Sequence, residues 1–379
     1  MDDAARDFFR QAILTPSPSG YEEPIQRLIA GYIRPHADDV RTDVHGNLIA
    51  SLGGPPASPS PPGTSPDGPA AGRSIAANDG VPRLMYAGHC DQIGMLVSHI
   101  DENGFVYGQT VGGWDPQQLI GQSMTIWTEN GGVAAVISRK PIHLLNQEER
   151  NQVVKLEQMW LDIGAKDEQD AREKVRIGDC VTLDLRLRNL LGDLVSGPGM
   201  DNKSGMWTVI ESLRRVAQGD TPLSCHLHSV ATVQEEIGLR GAKTAAGSIN
   251  PDVAIAVDVT HASDCPTIDK QQQGDIAVGR GPVIFRGPNI NPKVSRRLVE
   301  LCETHGIPYQ LAALGRAAPN DSNALQLHGG GVATGLVAIP NRYMHSAVEV
   351  VSMSDLDAIA ELLKHFALSL SPDDSFIPG

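Results

Sequence analysis

The sequence predicts an α/β fold in which a mixed, largely parallel sheet is flanked by helices and interrupted by a β-rich insertion. Helical and β-type runs alternate after Gly199 at the spacing typical of α/β proteins. From Ile93 to about Leu194 the chain instead contains short β-type runs separated by glycine-containing turns. Its 379 residues leave room for more than one domain. We therefore expect an α/β domain made of residues 1–92 and 195–379, with an inserted β-rich domain at residues 93–194.

The first part of the chain begins with two helices. Apolar residues at helical spacing predict helices over Asp3–Leu14 and Tyr21–Ile33. A short strand follows the Gly46-Asn47 turn, and Arg83–Ala87 forms another. Between these strands, Gly53–Gly80 consists mainly of Pro, Ser, Gly and Ala and offers almost nothing to bury. This composition predicts a mobile surface loop.

The remaining elements follow from the same periodicities. In the insertion, β-type runs predict strands over Met95–Ile100, Phe105–Tyr107, Met124–Trp127, Val133–Ile137 and Val181–Leu187. Later strands are predicted over Cys225–Val233, Val253–Val257, Tyr309–Ala312 and Val332–Ile339. Helices are predicted over Met200–Ala217, Leu239–Ala246, Lys293–His305, Ser322–His328 and Ser354–Leu370. The alternation implies a sheet covered by helices on both faces.

Composition narrows the class of protein. The net charge of −14 opposes binding to nucleic acid or to an anionic membrane. No run approaches the roughly 18 apolar residues that cross a bilayer, and the acidic N-terminus is unlike a secretory signal. The five scattered cysteines contain no C-x-x-C pair, which argues against a disulfide framework and a thiolate zinc site. We therefore expect a cytoplasmic protein with reduced thiols.

Metal-type side chains follow several of the predicted strands. His89 and Asp91 come after Arg83–Ala87, and Asp258 directly follows Val253–Val257. Residues i and i+2 of an extended segment face the same side, so His89 can bind an ion while Asp91 orients its ring. Open α/β sheets bind their ligands at the carboxyl ends of the strands. These positions therefore suit a binding site.

Glu235-Glu236, Asp201 and His345 complete the series. The adjacent glutamates follow a strand, and two carboxylates side by side in a half-buried pocket repel one another and require a cation. Each residue also has an ordinary structural role open to it. The glutamates suit a solvated acidic turn, Asp201 a helix cap, and His345 a satisfied polar side chain. Their order along one α/β domain favours a shared metal site.

The donor set indicates the kind of metal. Carboxylates and two imidazoles without thiolates suit zinc, cobalt or manganese. Five ligands around one ion would leave no open position for catalysis. A carboxylate shared between two ions gives each ion three protein ligands, and two ions about 3.5 to 4 Å apart can hold a bridging hydroxide.

Six segments of the chain match one known family in order: GHCDQIG, WLDIGAK, GPGMDNKSG, TVQEEIGLRGA, AVDVTHA and NRYMHS. Over nearly its whole length the chain resembles the TET-type di-zinc aminopeptidases, also called glutamyl or deblocking aminopeptidases and endoglucanase-M-like proteins. The resemblance implies an enzyme that hydrolyses N-terminal residues from peptides. It also implies two divalent metal ions, zinc foremost, with cobalt or manganese as alternatives.

The resemblance assigns roles to individual residues. It implies that His89, Asp201 and Asp258 bind one ion and that Asp201, Glu236 and His345 bind the other. Glu235 would be the general base, taking a proton from the attacking water and giving it to the leaving amine. Asp91 would orient His89.

The resemblance also carries structural expectations. It implies a cis peptide after Asp201, a β-barrel insertion that mediates dimerisation and, in many members, a tetrahedral dodecamer. Gly53–Gly80 is not typical of the family, and Ala317–Asn323 varies a family loop near the substrate. The preferred N-terminal residue therefore cannot be inferred from the resemblance.

Two alternatives stay open at this point. A di-zinc carboxypeptidase or amide deacylase uses a similar order of ligands, and Arg240, Arg286 or Arg342 could bind the carboxylate of its substrate. A non-catalytic, metal-containing scaffold for peptides is the other alternative, although a pure binding protein would not need a base such as Glu235.

Overall fold

The computed structural model describes residues 1–53 and 80–378. Except for its two end residues, the loop expected at Gly53–Gly80 lies outside the described residues. None of the helices in the described ranges combines the length and the apolar character needed to span a membrane.

The strands are short and cover the whole described chain. They are β1 (Asp39–Thr42), β2 (Leu48–Leu52), β3 (Arg83–His89), β4 (Gly94–Ile100), β5 (Val106–Val111), β6 (Gln122–Thr128), β7 (Gly131–Ser138), β8 (Trp160–Asp162), β9 (Cys180–Leu183), β10 (Arg188–Asn189), β11 (Leu194–Gly197), β12 (His226–Thr232), β13 (Val253–His261), β14 (Val283–Arg286), β15 (Gln310–Ala313), β16 (Ala333–Asn341) and β17 (Glu349–Ser352).

The longer helices belong to the α/β part. The helices are α1 (Asp3–Leu14), α2 (Glu23–Ile33), α3 (Pro116–Leu119), α4 (Gln147–Arg150), α5 (Glu168–Lys174), α6 (Met200–Ala217), α7 (Arg240–Ile249), α8 (Lys270–Gln273), α9 (Pro292–His305), α10 (Asp321–Gln326) and α11 (Met353–Ser369). The start and stop signals of α9 are local. The Asn291 side chain caps its first turn, Pro292 occupies the first position, and Gly306 ends it with φ of 68°.

One eight-stranded sheet organises the α/β part, with strand order β1-β2-β12-β3-β13-β16-β14-β15. The pairs β12/β3, β3/β13, β13/β16 and β14/β15 are parallel. The pairs β1/β2, β2/β12 and β14/β16 are antiparallel. The predicted mixed, largely parallel sheet is confirmed.

The central strands are buried on both faces. In β3, Leu84 and Tyr86 belong to the core under α1, α2, α6, α9 and α11, while Met85 and Ala87 belong to the core on the opposite face. Successive side chains of a strand point to opposite faces, so a sheet between two helical layers needs continuous apolar runs. This explains why β3 shows no polar alternation.

The insertion closes into an antiparallel barrel with order β4-β5-β8-β7-β6-β9, which has its own apolar core. The inserted β-barrel in the predicted fold class is therefore confirmed. A separate three-stranded sheet, β10-β11-β17, pairs Gly197 at the end of β11 with Glu349 at the start of β17. This small sheet lies next to the start of α6.

Several strands have no counterpart in the sequence prediction, among them β1, β14 and β17. Each has four residues, a length at which the sequence pattern is unreliable: β9 and β15 are equally short but overlap predicted runs. The unpredicted strands form because neighbouring strands supply hydrogen-bond partners. At the start of α6, the Asp201-Asn202 peptide is cis, as the resemblance implied.

Candidate metal centre

The parallel strands carry the predicted site residues to one edge of the sheet. His89 ends β3, and it pairs in register with Thr232, the last residue of β12 and the third before Glu235. Asp258 lies within β13, three residues before its end, because the strand continues past the predicted Val253–Val257, and His345 follows β16 by four residues. The carboxyl ends of parallel strands meet at the same edge, so residues distant in sequence converge.

Asp201 lies at the centre of the cluster. Its Oδ1 is 3.2 Å from Nε2 of His89, and its Oδ2 is 3.2 Å from Nε2 of His345. The two oxygens of one carboxylate therefore face two different imidazoles.

The other carboxylates divide between the two histidines. Nε2 of His89 is 3.7 Å from Asp258 Oδ1 and 3.8 Å from Glu235 Oε2. Nε2 of His345 is 3.5 Å from Glu236 Oε2. The potential ligand atoms form two groups, and the atoms within a group lie within 4.8 Å of one another. One group is His89 with Glu235 and Asp258, and the other is Asp201 with Glu236 and His345. Because Glu235 lies beside His89, proximity alone does not distinguish a base from a ligand.

The far side of each imidazole meets a backbone carbonyl. Nδ1 of His89 is 3.1 Å from the carbonyl oxygen of Asp91, and Nδ1 of His345 is 2.7 Å from that of Gly113, which lies between β5 and α3. A carbonyl can only accept, so each Nδ1 donates its proton outward and Nε2 is the ring nitrogen that would bind an ion in the cluster.

The Asp91 carboxylate has a wider role than the sequence predicted. It is 3.4 Å from Nδ1 of His89, but its closer partners are the backbone N–H groups of Glu235 and Glu236, at 3.1 and 3.2 Å, and the Ser19 hydroxyl, at 2.7 Å. Asp91 is fully buried. It therefore fixes the backbone of the glutamate pair, while its own carbonyl meets the His89 ring.

The cluster carries more negative charge than the chain balances. Burial, reinforced by the charge of Asp258, raises the pKa of Glu235, and burial also raises the pKa of Glu236. Burial by itself would lower the pKa of His89, but the charge of Glu235 and hydrogen bonds to carboxylates raise it well above its usual range. Within the described ranges, no Lys or Arg forms an ion pair with these carboxylates. The site therefore favours bound cations.

A cavity of about 1200 Å³ opens beside the cluster. Its lining includes the residues of the cluster and the apolar residues Ile276, Phe285 and Leu336. Such a space accommodates the end of a peptide chain.

The arginines of the carboxypeptidase alternative lie elsewhere. Neither Arg240 nor Arg286 nor Arg342 lines this cavity. The Arg342 guanidinium forms two hydrogen bonds with Asp264, at 2.6 and 2.8 Å. These arginines are therefore not placed to bind a substrate carboxylate beside the cluster.

The sequence prediction missed two buried carboxylates beside the cluster. Glu349 accepts hydrogen bonds from the backbone N–H groups of Met200 and His345, at 2.7 and 3.0 Å. Asp321 accepts one from the Thr232 hydroxyl at 2.6 Å, and burial raises its pKa to about 7. Neither follows a long apolar strand, so the strand-end signal that located the other residues was absent.

A family model for the M42 glutamyl aminopeptidases matches residues 72–362. The chain belongs to this family. A relative of this M42 member, the lysyl aminopeptidase of Pyrococcus furiosus, is 33% identical over 97% of this chain and 98% of its own length.

Solved structures agree with the family assignment. The TET aminopeptidase of the marine sediment archaeon Thaumarchaeota archaeon SCGC AB-539-E09 superposes with a TM-score of 0.87 and 28% identity, covering 97% of each chain. The TET1 peptidase of Pyrococcus horikoshii, which can assemble into a tetrahedron or a large octahedral shell, gives a TM-score of 0.80 at 28% identity, covering 97% of this chain and 100% of its own. This M42 protein is a metal-dependent aminopeptidase, and the family implied by its motifs is confirmed.

Proposed function

We propose that this M42 aminopeptidase removes N-terminal residues from peptides with two divalent metal ions, zinc foremost and cobalt or manganese as alternatives. One observation carries the proposal: the two oxygens of Asp201 face the Nε2 atoms of His89 and His345 separately. A bridging carboxylate needs this geometry. His89, Asp201 and Asp258 would hold one ion, and Asp201, Glu236 and His345 the other.

The residues present fit divalent ions. Oε1 of Glu236 is buried and has no hydrogen-bond partner among the described residues. A buried carboxylate oxygen without a partner is unfavourable unless a cation binds it. The cluster offers imidazole nitrogens and carboxylate oxygens, which zinc, cobalt and manganese accept.

Bound there, the ions would supply Lewis-acid activation of water and polarisation of the peptide carbonyl. The protein's own groups would do the rest. Oε2 of Glu235 would take a proton from the attacking water and deliver it to the leaving amine. Asp91 would hold the Glu235 backbone at 3.1 Å, so the carboxylate keeps its position through both transfers.

We further propose that the chain self-associates through the inserted barrel domain, as a dimer and in a tetrahedral dodecamer. Ile142, Leu144 and Val153, between β7 and β8, expose 60%, 67% and 63% of their surfaces. Exposed apolar side chains grouped in one segment are typical of interfaces. The shells formed by the Pyrococcus horikoshii relative support assembly. We propose a cytoplasmic location, which the five unpaired cysteines support.

A metal titration tests the two-ion proposal. We expect chelated protein to take up two zinc, cobalt or manganese ions per chain, measured by elemental analysis, and to regain hydrolysis of aminoacyl chromogenic substrates. We expect no hydrolysis of peptides with acylated N-termini. Asp201→Ala should lose tight binding of both ions, whereas Asp373→Ala, on the exposed surface, should bind two. Full activity with one ion per chain would contradict the proposal.

A further inference from the structure

Glu349 lies where two separate parts of the chain meet. It is the first residue of β17, is only 1% exposed, and pairs in register with Gly197 at the end of β11. The connection from β11 leads into Asp201, and the connection into β17 carries His345. Both residues belong to the same group of potential ligands.

The Glu349 carboxylate bonds to both connections at once. Oε2 accepts hydrogen bonds from the backbone N–H of Met200 at 2.7 Å and from the backbone N–H of Asp201 at 3.4 Å. Oε1 accepts one from the backbone N–H of His345 at 3.0 Å. Hydrogen bonds to a charged acceptor are roughly twice as strong as neutral ones. One buried side chain thus joins the backbones on either side of the 3.2 Å gap between Asp201 and His345.

His345 has a particular need for such support. Its φ of 59° lies in the left-handed region, which is unfavourable for a residue with a side chain. The bond from its N–H to Glu349 holds this backbone conformation. The bond from its ring to Gly113 fixes the imidazole. Loss of either bond would leave Nε2 free to leave the cluster.

Glu349 itself does not face the large cavity beside the cluster. Its oxygens point at backbone N–H groups, as those of Asp91 do on the other side of the site. We propose that Glu349 is a positioning residue that holds Asp201 and His345 together for the ion they share with Glu236. This inference rests on the two-ion function proposed above.

The test is a metal titration of Glu349→Gln. A glutamine keeps the size of the side chain but turns an amide N–H₂ toward one of the two backbone N–H groups. We expect the ion held by Asp201, Glu236 and His345 to bind about 10- to 100-fold more weakly, the usual range for partners behind a ligand. The other ion, which depends on Glu349 only through Asp201, should be weakened less. Cobalt absorption spectra of chelated protein, titrated with Co²⁺, measure each step without relying on activity.

Asp355→Asn is the matched control. Asp355 is also about 1% exposed and also accepts two backbone N–H bonds, from Gly279 and Gly281 at 2.7 Å each, but it touches no residue of the cluster. We expect this variant to lose stability and to keep both cobalt affinities. If Glu349→Gln does not fold, Glu349→Asp, which keeps the charge but is too short to reach both connections, is titrated in the same way.

The outcomes separate the two proposals. If wild-type protein binds fewer than two ions, the two-ion function fails whatever Glu349 does. If the wild type binds two ions and the folded Glu349 variant binds both with unchanged affinity, only the positioning role is overturned. Equal weakening in the Asp355 variant would also overturn it, because general destabilisation would then explain the effect.

Discussion

Two clusters of buried carboxylates in this protein differ in how their negative charge is compensated. The arginine cluster is centred on Glu211 of α6, which is fully buried and accepts from Nε of Arg214 at 2.7 Å and from Nε of Arg215 at 2.9 Å. Each arginine also pairs with an aspartate: Nη2 of Arg214 is 2.8 Å from Oδ2 of Asp2, and Nη2 of Arg215 is 2.6 Å from Oδ1 of Asp357. The carboxylates of the metal centre are also largely buried, yet within the described ranges the cationic partners that pair with them are two histidines.

The balance of charge within each cluster distinguishes a structural charge cluster from a functional one. Buried charges are tolerated when opposite charges of the chain balance them. The arginine cluster is balanced by the chain, so it needs nothing from outside. The carboxylates of the metal centre are not balanced by the chain, and their excess negative charge favours the binding of cations. Changes in the first cluster should therefore affect stability, and changes in the second should affect ions and catalysis.

The largest expected effect is on catalysis. Glu235→Gln removes the proton acceptor but keeps the shape of the side chain, so turnover should fall about 100- to 10,000-fold. Metal content should stay at two ions per chain, because the ligands are untouched. Steady-state kinetics and elemental analysis on one preparation measure both. A variant with near-normal turnover would exclude Glu235 as the base.

Glu211→Ala should have the largest effect on stability. It leaves the Arg214 and Arg215 guanidinium groups, 7% and 14% exposed, without their shared partner. Breaking a buried pair on one side costs about 3 to 5 kcal/mol in the free energy of unfolding, measurable by urea denaturation.

The control for this change is Glu23→Ala, which breaks an exposed pair with Arg27 and should cost less than about 1 kcal/mol. Folded Glu211→Ala should keep its turnover and both ions. Similar stability losses in the two variants would refute the structural role of the arginine cluster.

Metal removal should lower stability by an amount comparable to that of Glu211→Ala. Each ion that binds only the folded state adds about 2.7 kcal/mol when its free concentration is 100 times its dissociation constant, so two ions add about 5 kcal/mol. Chelated protein should therefore melt at a lower temperature, as measured by calorimetry. Because the arginine cluster needs no ion, the loss caused by Glu211→Ala should be the same with and without metal. A melting temperature unaffected by chelation would argue against ions at this site.

The smallest expected effect lies at the edge of the arginine cluster. The Ala5 N–H, and then Arg214, lower the pKa of Asp2 below its ordinary value of 3.8. Its charge therefore stabilises the fold above that value, and the stabilisation is lost as the pH falls through the lower folded-state pKa.

Asp2→Asn should thus lower the free energy of unfolding by less than about 1 kcal/mol at pH 7, since the pair is partly exposed. The difference should shrink below about pH 4. Denaturation curves between pH 3 and 7 measure this difference in the free energy of unfolding. A difference that grows on acidification would show that the pKa of Asp2 is not lowered by folding.

The fold could be predicted where the sequence pattern is long. β3, β12, β13 and β16 are seven to nine residues long, and each overlaps a predicted β-type run. β14 and β17, with four residues each, exist because of their partners. A pairing between distant segments leaves no periodic signal in either one.

The two clusters also differ in what the sequence alone determines. Glu211, Arg214 and Arg215 are three and four residues apart, so any helix through them brings the charges together. For the metal centre, the sequence determined which donors stand at strand ends and in which order. Only the tertiary structure decided that Asp201 turns one oxygen to each histidine and that Glu349 joins two backbones. Those contacts connect segments far apart in the chain, and packing of the whole sheet sets their distances.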